Sequence, residues 1–188
     1  LMCALLNIEH EWIHVDILAG DTNAQAFLAM NPNGKIPLLA LDDGRHLWES
    51  NAIINYLASG SDLLPSDVFA VAKVQQWQFF EQYSHEPYIA VARFIAKYLG
   101  LPESKKAEYE AKQAGGHKAL AVMESQLAQT RFLTGQGVTA ADVSLYGYTH
   151  VAHEGGFDLS LYPNVQAWLS RIEALPNYIA MDASKGKV

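Results

Sequence analysis

One cysteine in 188 residues excludes an internal disulfide, because Cys3 has nothing in the chain to pair with. The C-x-x-C spacing of zinc and dithiol redox sites is absent too, which suits a reducing compartment and leaves stability to the core. Basic residues are also scarce. Thirteen Lys and Arg face 20 Asp and Glu, for a formal charge of −7, and the longest basic run is Lys105-Lys106. That balance speaks against nucleic-acid binding through a basic face. No apolar run reaches the roughly 18–20 residues of a membrane span.

What is present is apolar: half of the residues are hydrophobic and 18 % are charged, which excludes a disordered chain. A chain of this length buries roughly 70 % of its unfolded surface and has no need of a metal or disulfide staple. The opening Leu1-Met2-Cys3-Ala4-Leu5-Leu6 lacks the basic flank and cleavage site of a signal peptide. It reads as the last turns of a helix ending near Asn7, and a chain opening in mid-helix suggests preceding residues. Cys3 then reads as a packed thiol.

Periodicity orders the elements that follow. Ile13, Val15 and Ile17 alternate with Trp12, His14 and Asp16, predicting a half-buried strand. Gly20-Asp21-Thr22 breaks the chain, a short helix runs from Ala24 to Met30, and Asn31-Pro32-Asn33-Gly34 stops it. Ile36 to Leu41 is strand-like, Asp42-Asp43-Gly44 is a hairpin turn, and His46-Leu47-Trp48 returns. From Ser50 the spacing of Ile53, Tyr56 and Leu57 is helical. Residues 1–59 therefore read as an α/β thioredoxin-like unit lacking only its opening strand, and residues 60–67 as a linker.

Residues 68–188 read as all-helical. Val74, Trp77, Phe80, Ser84 and Tyr88 recur at near-helical intervals, with Pro87 expected to kink that helix and Gly100 with Pro102 to end it. A second helix spans about Glu103 to Ala128, and its Gly115-Gly116 pair marks a weak point or a close backbone approach. Thr139-Ala140-Ala141-Asp142 has the pattern of a capping box, with Val138 and Val143 placed for a hydrophobic staple. The last helix follows Tyr162-Pro163 and carries Val165, Trp168, Leu169, Ile172 and Leu175 on one face.

Three segments in order carry a resemblance. Asn31-Pro32-Asn33-Gly34-Lys35-Ile36-Pro37 resembles the N-P-x-G-K-[IV]-P segment of glutathione transferases, and Glu49-Ser50-Asn51-Ala52-Ile53 is similar to their [EQ]-S-x-A-I helix entry. Thr139 to Asp142 resembles the capping box of their helical domain. The resemblance covers nearly the whole chain. It implies the glutathione transferase fold, an α/β thioredoxin-like domain followed by an all-α helical domain, in a cytoplasmic homodimer that takes glutathione as co-substrate. It implies no metal.

Physical chemistry agrees with that assignment at each residue. A cis bond before Pro37 turns the Ile36 N–H and C=O outward, where they pair with an extended peptide such as glutathione. Glu49 offers a carboxylate to the γ-glutamyl ammonium, while Ser50 offers a hydroxyl and helix N-terminal amides to its carboxylate. In isolation both residues would read as ordinary helix-start residues. Residues 1–59 hold two basic side chains, Lys35 and Arg45, against seven acidic ones. Lys35 is thus the candidate cation for the glycyl carboxylate, or else a solvated turn lysine.

In the family, the residue that activates the thiol lies just after the first strand, so the catalytic residue is expected upstream of Leu1. Tyr83, His85 and Tyr88, in the aromatic-rich helix, are the candidates for an electrophile pocket. His150 and His153 have metal-ligand spacing on a helix but no evident third ligand, and read as surface or inter-helix histidines. The function implied is conjugation of the glutathione thiolate to a hydrophobic electrophile. Alternatives are glutathione-dependent disulfide reduction or dehalogenation at the same site, or a non-catalytic binding or assembly role.

Overall fold

The computed structural model describes residues 1–181. The chain opens with α1 (Met2–Leu5), and Asn7 in the left-handed region turns it away, near the predicted helix end. The predicted strand at 12–17 does not form. Trp12 and Ile13 are 63 % and 71 % exposed, and no described segment lies beside them to take up strand hydrogen bonds. The segment is instead folded on its aspartates: Asp16 Oδ1 accepts from the Leu18 and Ala19 N–H groups at 2.8 and 3.0 Å. Asp21 Oδ2 accepts from the Asp16 N–H at 2.8 Å.

α2 (Gln25–Met30) follows, and then a two-stranded antiparallel sheet of β1 (Leu38–Ala40) and β2 (His46–Trp48). Its register pairs Leu38 with Trp48 and Ala40 with His46. α3 (Ser50–Ala58) leaves β2 directly and packs against both strands and α1, with Ile53 and Ala58 buried. The helical part contains α4 (Val68–Phe80), α5 (Glu86–Arg93), α6 (Glu103–Leu127), α7 (Ala140–Thr149) and α8 (Pro163–Glu173). Among the described residues this is the predicted architecture, a thioredoxin-like unit followed by helices.

The kink expected at Pro87 takes a specific form. Proline has no N–H to give the preceding turn and its ring crowds it, so the chain widens into a five-residue π-helical turn, Glu81–His85, between α4 and α5. In such a turn, residues five apart lie one above the other. Glu81 and Glu86 therefore share a side.

The main core is built around α7 and α8, where Leu145, Val165, Trp168 and Ile172 are buried with Leu120, Met123 and Leu133. The predicted capping box of α7 is formed, and Val138 and Val143 join the same cluster. α8 is capped from another helix: Glu124 on α6 accepts from the Asn164 and Val165 N–H groups at about 3 Å and from Asn164 Nδ2 at 2.6 Å.

The glycine pair in α6 marks close approach, not weakness, because the helix runs unbroken. A Cβ on Gly115 would lie 2.2 Å from the Tyr88 ring, and one on Gly116 would lie 2.3 Å from the Phe157 ring. Phe157 is buried and cannot swing away. Gly116→Ala is expected to cost about 2 kcal/mol through overpacking, despite the gain in helix propensity. Urea unfolding of the two proteins measures it.

Candidate functional site

The turn before β1 is organised by one buried side chain. Asn31 Nδ2 donates to the Lys35 carbonyl at 2.6 Å, and its Oδ1 accepts from the Asn33 N–H at 2.9 Å. Gly34, at φ +63°, lets the turn close. This presents Lys35 and Ile36 at the surface. Ile36-Pro37 is cis, and the Ile36 N–H and C=O make no hydrogen bond among the described residues.

Across the hairpin the sheet register, carried two residues beyond Leu38 and Trp48, sets Ile36 opposite Ser50. Glu49 holds a left-handed φ of +72°, a strained conformation for a residue with a side chain, at the entry to α3. Its carboxylate reaches back to the first motif, where Asn33 Nδ2 lies 3.5 Å from Oε1. α3 has no side-chain cap, and the Ser50 hydroxyl has no partner among the described residues. Three first-turn N–H groups therefore end at the surface beside an exposed carboxylate held by one long amide contact, a free hydroxyl and an unpaired strand-end backbone. The structure thus brings together Lys35, Ile36, Pro37, Glu49 and Ser50.

It does not bring the proposed electrophile-pocket residues to them in the same way. His85 is fully buried, with Nε2 2.9 Å from Thr149 Oγ1, and burial drives its pKa down to about 3. It is a neutral core histidine and not a pocket wall, because the π turn rotates it inward. Tyr88 lies against α6, under Gly115 and with the Lys112 ammonium 5.7 Å from its ring centroid. Tyr83 is 79 % exposed, and Phe79, four residues earlier, is 61 % exposed.

Facing the motifs are polar residues that the sequence reading passed over. Burial pushes the half-buried Glu86 carboxyl up; Lys35 and a hydrogen bond from Gln82 oppose this, and Glu49 adds to it. Those neighbours place Glu86 across from the motif pair. Behind it, Glu81 Oε2 accepts from Asn51 Nδ2 at 3.2 Å and from Gln82 Nε2 at 2.6 Å. Asn55 and Gln78 exchange amide hydrogen bonds at 2.8 Å, completing a polar seam between α3 and α4. Only the π turn lines Glu81 up with Glu86, so helical spacing alone did not signal them.

His150, at the end of α7, turns back on its own helix instead of bridging two: Nδ1 lies 2.7 Å from the Tyr146 carbonyl one turn earlier, and the two rings stack with centroids 4.5 Å apart. His153 is exposed. Among the described residues no three His, Cys, Asp or Glu side chains converge as metal ligands, and no helix is long and apolar enough to cross a membrane.

Comparison with known proteins agrees with this geometry. Residues 1–59 match the glutathione S-transferase N-terminal domain and residues 76–176 the C-terminal domain. Glutathione S-transferase 3 of Zea mays is 33 % identical over 91 % of this chain and 81 % of its own length. A crystal structure of a glutathione S-transferase from Pseudomonas fluorescens superposes with a TM-score of 0.95 at 59 % identity, covering 96 % of this chain and 90 % of the other. A glutathione transferase from Phanerochaete chrysosporium in complex with oxidised glutathione aligns at TM-score 0.83 and 26 % identity, over 98 % of this chain and 86 % of the other. With both domain profiles matched in order, the chain belongs to the glutathione S-transferase family.

Proposed function

We propose that the protein binds glutathione at Lys35, Ile36, Pro37, Glu49 and Ser50 and conjugates its thiolate to a hydrophobic electrophile. The observation that carries this reading is the uncapped start of α3, with the free Ser50 hydroxyl and Glu49 carboxylate opposite the unpaired Ile36 backbone. Oxidised glutathione bound to the Phanerochaete relative supports the same ligand.

Each end of the tripeptide finds its complement. The cysteinyl backbone pairs with the Ile36 N–H and C=O as a short β-ladder. The γ-glutamyl carboxylate takes the Ser50 hydroxyl and the α3 amides, the ammonium takes Glu49, and Lys35 serves the glycyl carboxylate. A thiol of pKa about 8.5 is mostly protonated at neutral pH, and a hydrogen-bond donor beside the sulfur favours the thiolate. The thiolate then attacks the electrophilic carbon, forming a C–S bond as the leaving group departs with its electron pair. A cytoplasmic location and a homodimer belong to the same reading. The single free cysteine supports the first, and the exposed aromatic pair Phe79 and Tyr83 supports the second.

Ser50→Ala removes one charge-assisted hydrogen bond to the ligand, about 1.5–3 kcal/mol, or roughly ten- to hundredfold in Kd. The fold is expected to persist, since the Ser50 hydroxyl bonds to no described residue. Glu49→Gln keeps the shape and removes the charge that meets the ammonium. Titration calorimetry with glutathione is the test, and unchanged binding in both variants would overturn the assignment.

A further inference from the structure

Glu81 is unusual in this chain: its residue is only 3 % exposed, and no cation pairs with it among the described residues. Its hydrogen-bond donors are two amides, Asn51 from α3 and Gln82 from its own turn. Asn51 directly follows Ser50 and also donates to the Gln78 carbonyl at 3.3 Å, so it ties the first turn of α3 to α4. One strand of the tie between the first turn of α3 and the helical part therefore runs through a buried carboxyl, beside the amide bonds to Gln78.

We propose that Glu81 is a positioning residue for the peptide site: through Asn51 it fixes the first turn of α3, and gain or loss of its proton loosens or tightens the grip of Glu49 and Ser50 on the γ-glutamyl end. This rests on the glutathione reading above.

The physical argument has two parts. Ionised, Glu81 accepts a charge-assisted hydrogen bond from Asn51, which is stronger than the bond to a neutral carboxyl and holds α3 more firmly. Ionised, it also joins Glu86 and Glu49 in a field that attracts the ligand ammonium. Burial pushes its pKa from 4.5 up to about 7, with Glu86 adding to the rise and the Gln82 and Asn51 hydrogen bonds opposing it. The change of state therefore falls in the neutral range.

The groups around Glu81 narrow the source of any pH dependence. On its own side stand Glu86 and the neutral His85, and from α7 comes Tyr148, whose phenol is pushed up by burial and by Glu86 and Glu81. From α3 come the uncharged Asn51 and Asn55, and beyond Glu86 lie Lys35 and Glu49. No charged side chain of α6, which packs on the same turn, acts on Glu81.

The test uses S-methylglutathione, which has no thiol to titrate, with the whole chain in titration calorimetry from pH 6 to 8. Wild-type affinity is expected to rise about three- to tenfold with pH as the charge-assisted bond forms. At pH 7, binding should release a fraction of a proton, read as an enthalpy that depends on the buffer. Glu81→Gln should be flat near the wild-type value at pH 6 and release no proton, while Glu86→Gln should keep a slope. An equal slope in wild type and Glu81→Gln, or a slope lost only in Glu86→Gln, overturns the proposal and leaves the peptide site standing. Wild type that binds the probe at no pH overturns both. Proton release is measured on unmodified protein, so its absence overturns the proposal even if a variant folds poorly.

Discussion

Asp142→Ala is expected to lose about 3–5 kcal/mol of stability, a large share of the roughly 5–15 kcal/mol that holds a typical domain together. The carboxylate is fully buried and each oxygen accepts twice. Oδ1 takes the Leu133 N–H and the Trp168 indole N–H, both at 2.9 Å. Oδ2 takes the Thr139 N–H at 2.9 Å and its hydroxyl at 3.2 Å. One side chain thus closes the cap of α7, pins the loop at Leu133 and orients the central Trp168. Alanine leaves these donors without an acceptor where water cannot follow, at about 1–3 kcal/mol for each buried group left unsatisfied. Asp142→Asn should lose nearly as much, because its NH2 group must face donors. Urea unfolding of both variants measures this, and a nearly wild-type Asn variant would mean that two of the four bonds contribute little.

The second large effect is expected where a cation is buried. Arg93 on α5 is 7 % exposed; its Nε lies 2.5 Å from Glu154 Oε2, and Lys97 pairs with the other oxygen. Among the described residues Glu154→Ala leaves the guanidinium buried with no carboxylate partner, the Tyr98 ring centroid lying 5.3 Å away. A loss of about 3 kcal/mol follows, because an uncompensated buried charge costs more than the pair had contributed. For a chain of this size that is about 6–12 °C in Tm. The double variant Arg93→Met, Glu154→Met should lose less than the single one, since it removes the stranded charge with its partner.

The pH dependence of that pair has a definite sign. Burial alone would raise the Glu154 carboxyl, but the hydrogen bonds from Lys97 and Arg93 outweigh it and hold the group below its ordinary value of 4.5. A depressed carboxyl contributes stability that is fully present above its unfolded pKa and is lost as pH falls through the folded one. Wild type should therefore lose stability relative to Glu154→Ala below about pH 4.5. Thermal scans at pH 7 and pH 3.5 compare the two.

Much of the molecule was legible in the sequence because it is encoded locally. The Asn31–Pro37 turn, the entry to α3 and the Thr139–Asp142 box need only residues a few positions apart, and all three form. The buried face of α8 follows from helical periodicity, and the glycine pair of α6 from the absence of a side chain where Tyr88 and Phe157 press in. What tertiary structure decided is of another kind. Residues 12–17 alternate as a strand does, yet a strand exists only where a neighbour takes its backbone hydrogen bonds, and none is present among the described residues. Pro87 announced a disturbance but not its geometry. The π turn it induces sends His85 into the core and stacks Glu81 on Glu86, toward the Lys35–Pro37 and Glu49–Ser50 motifs. Periodicity can name the face of a regular helix; once a turn is widened by one residue, only the packing around it determines which side chains face the site.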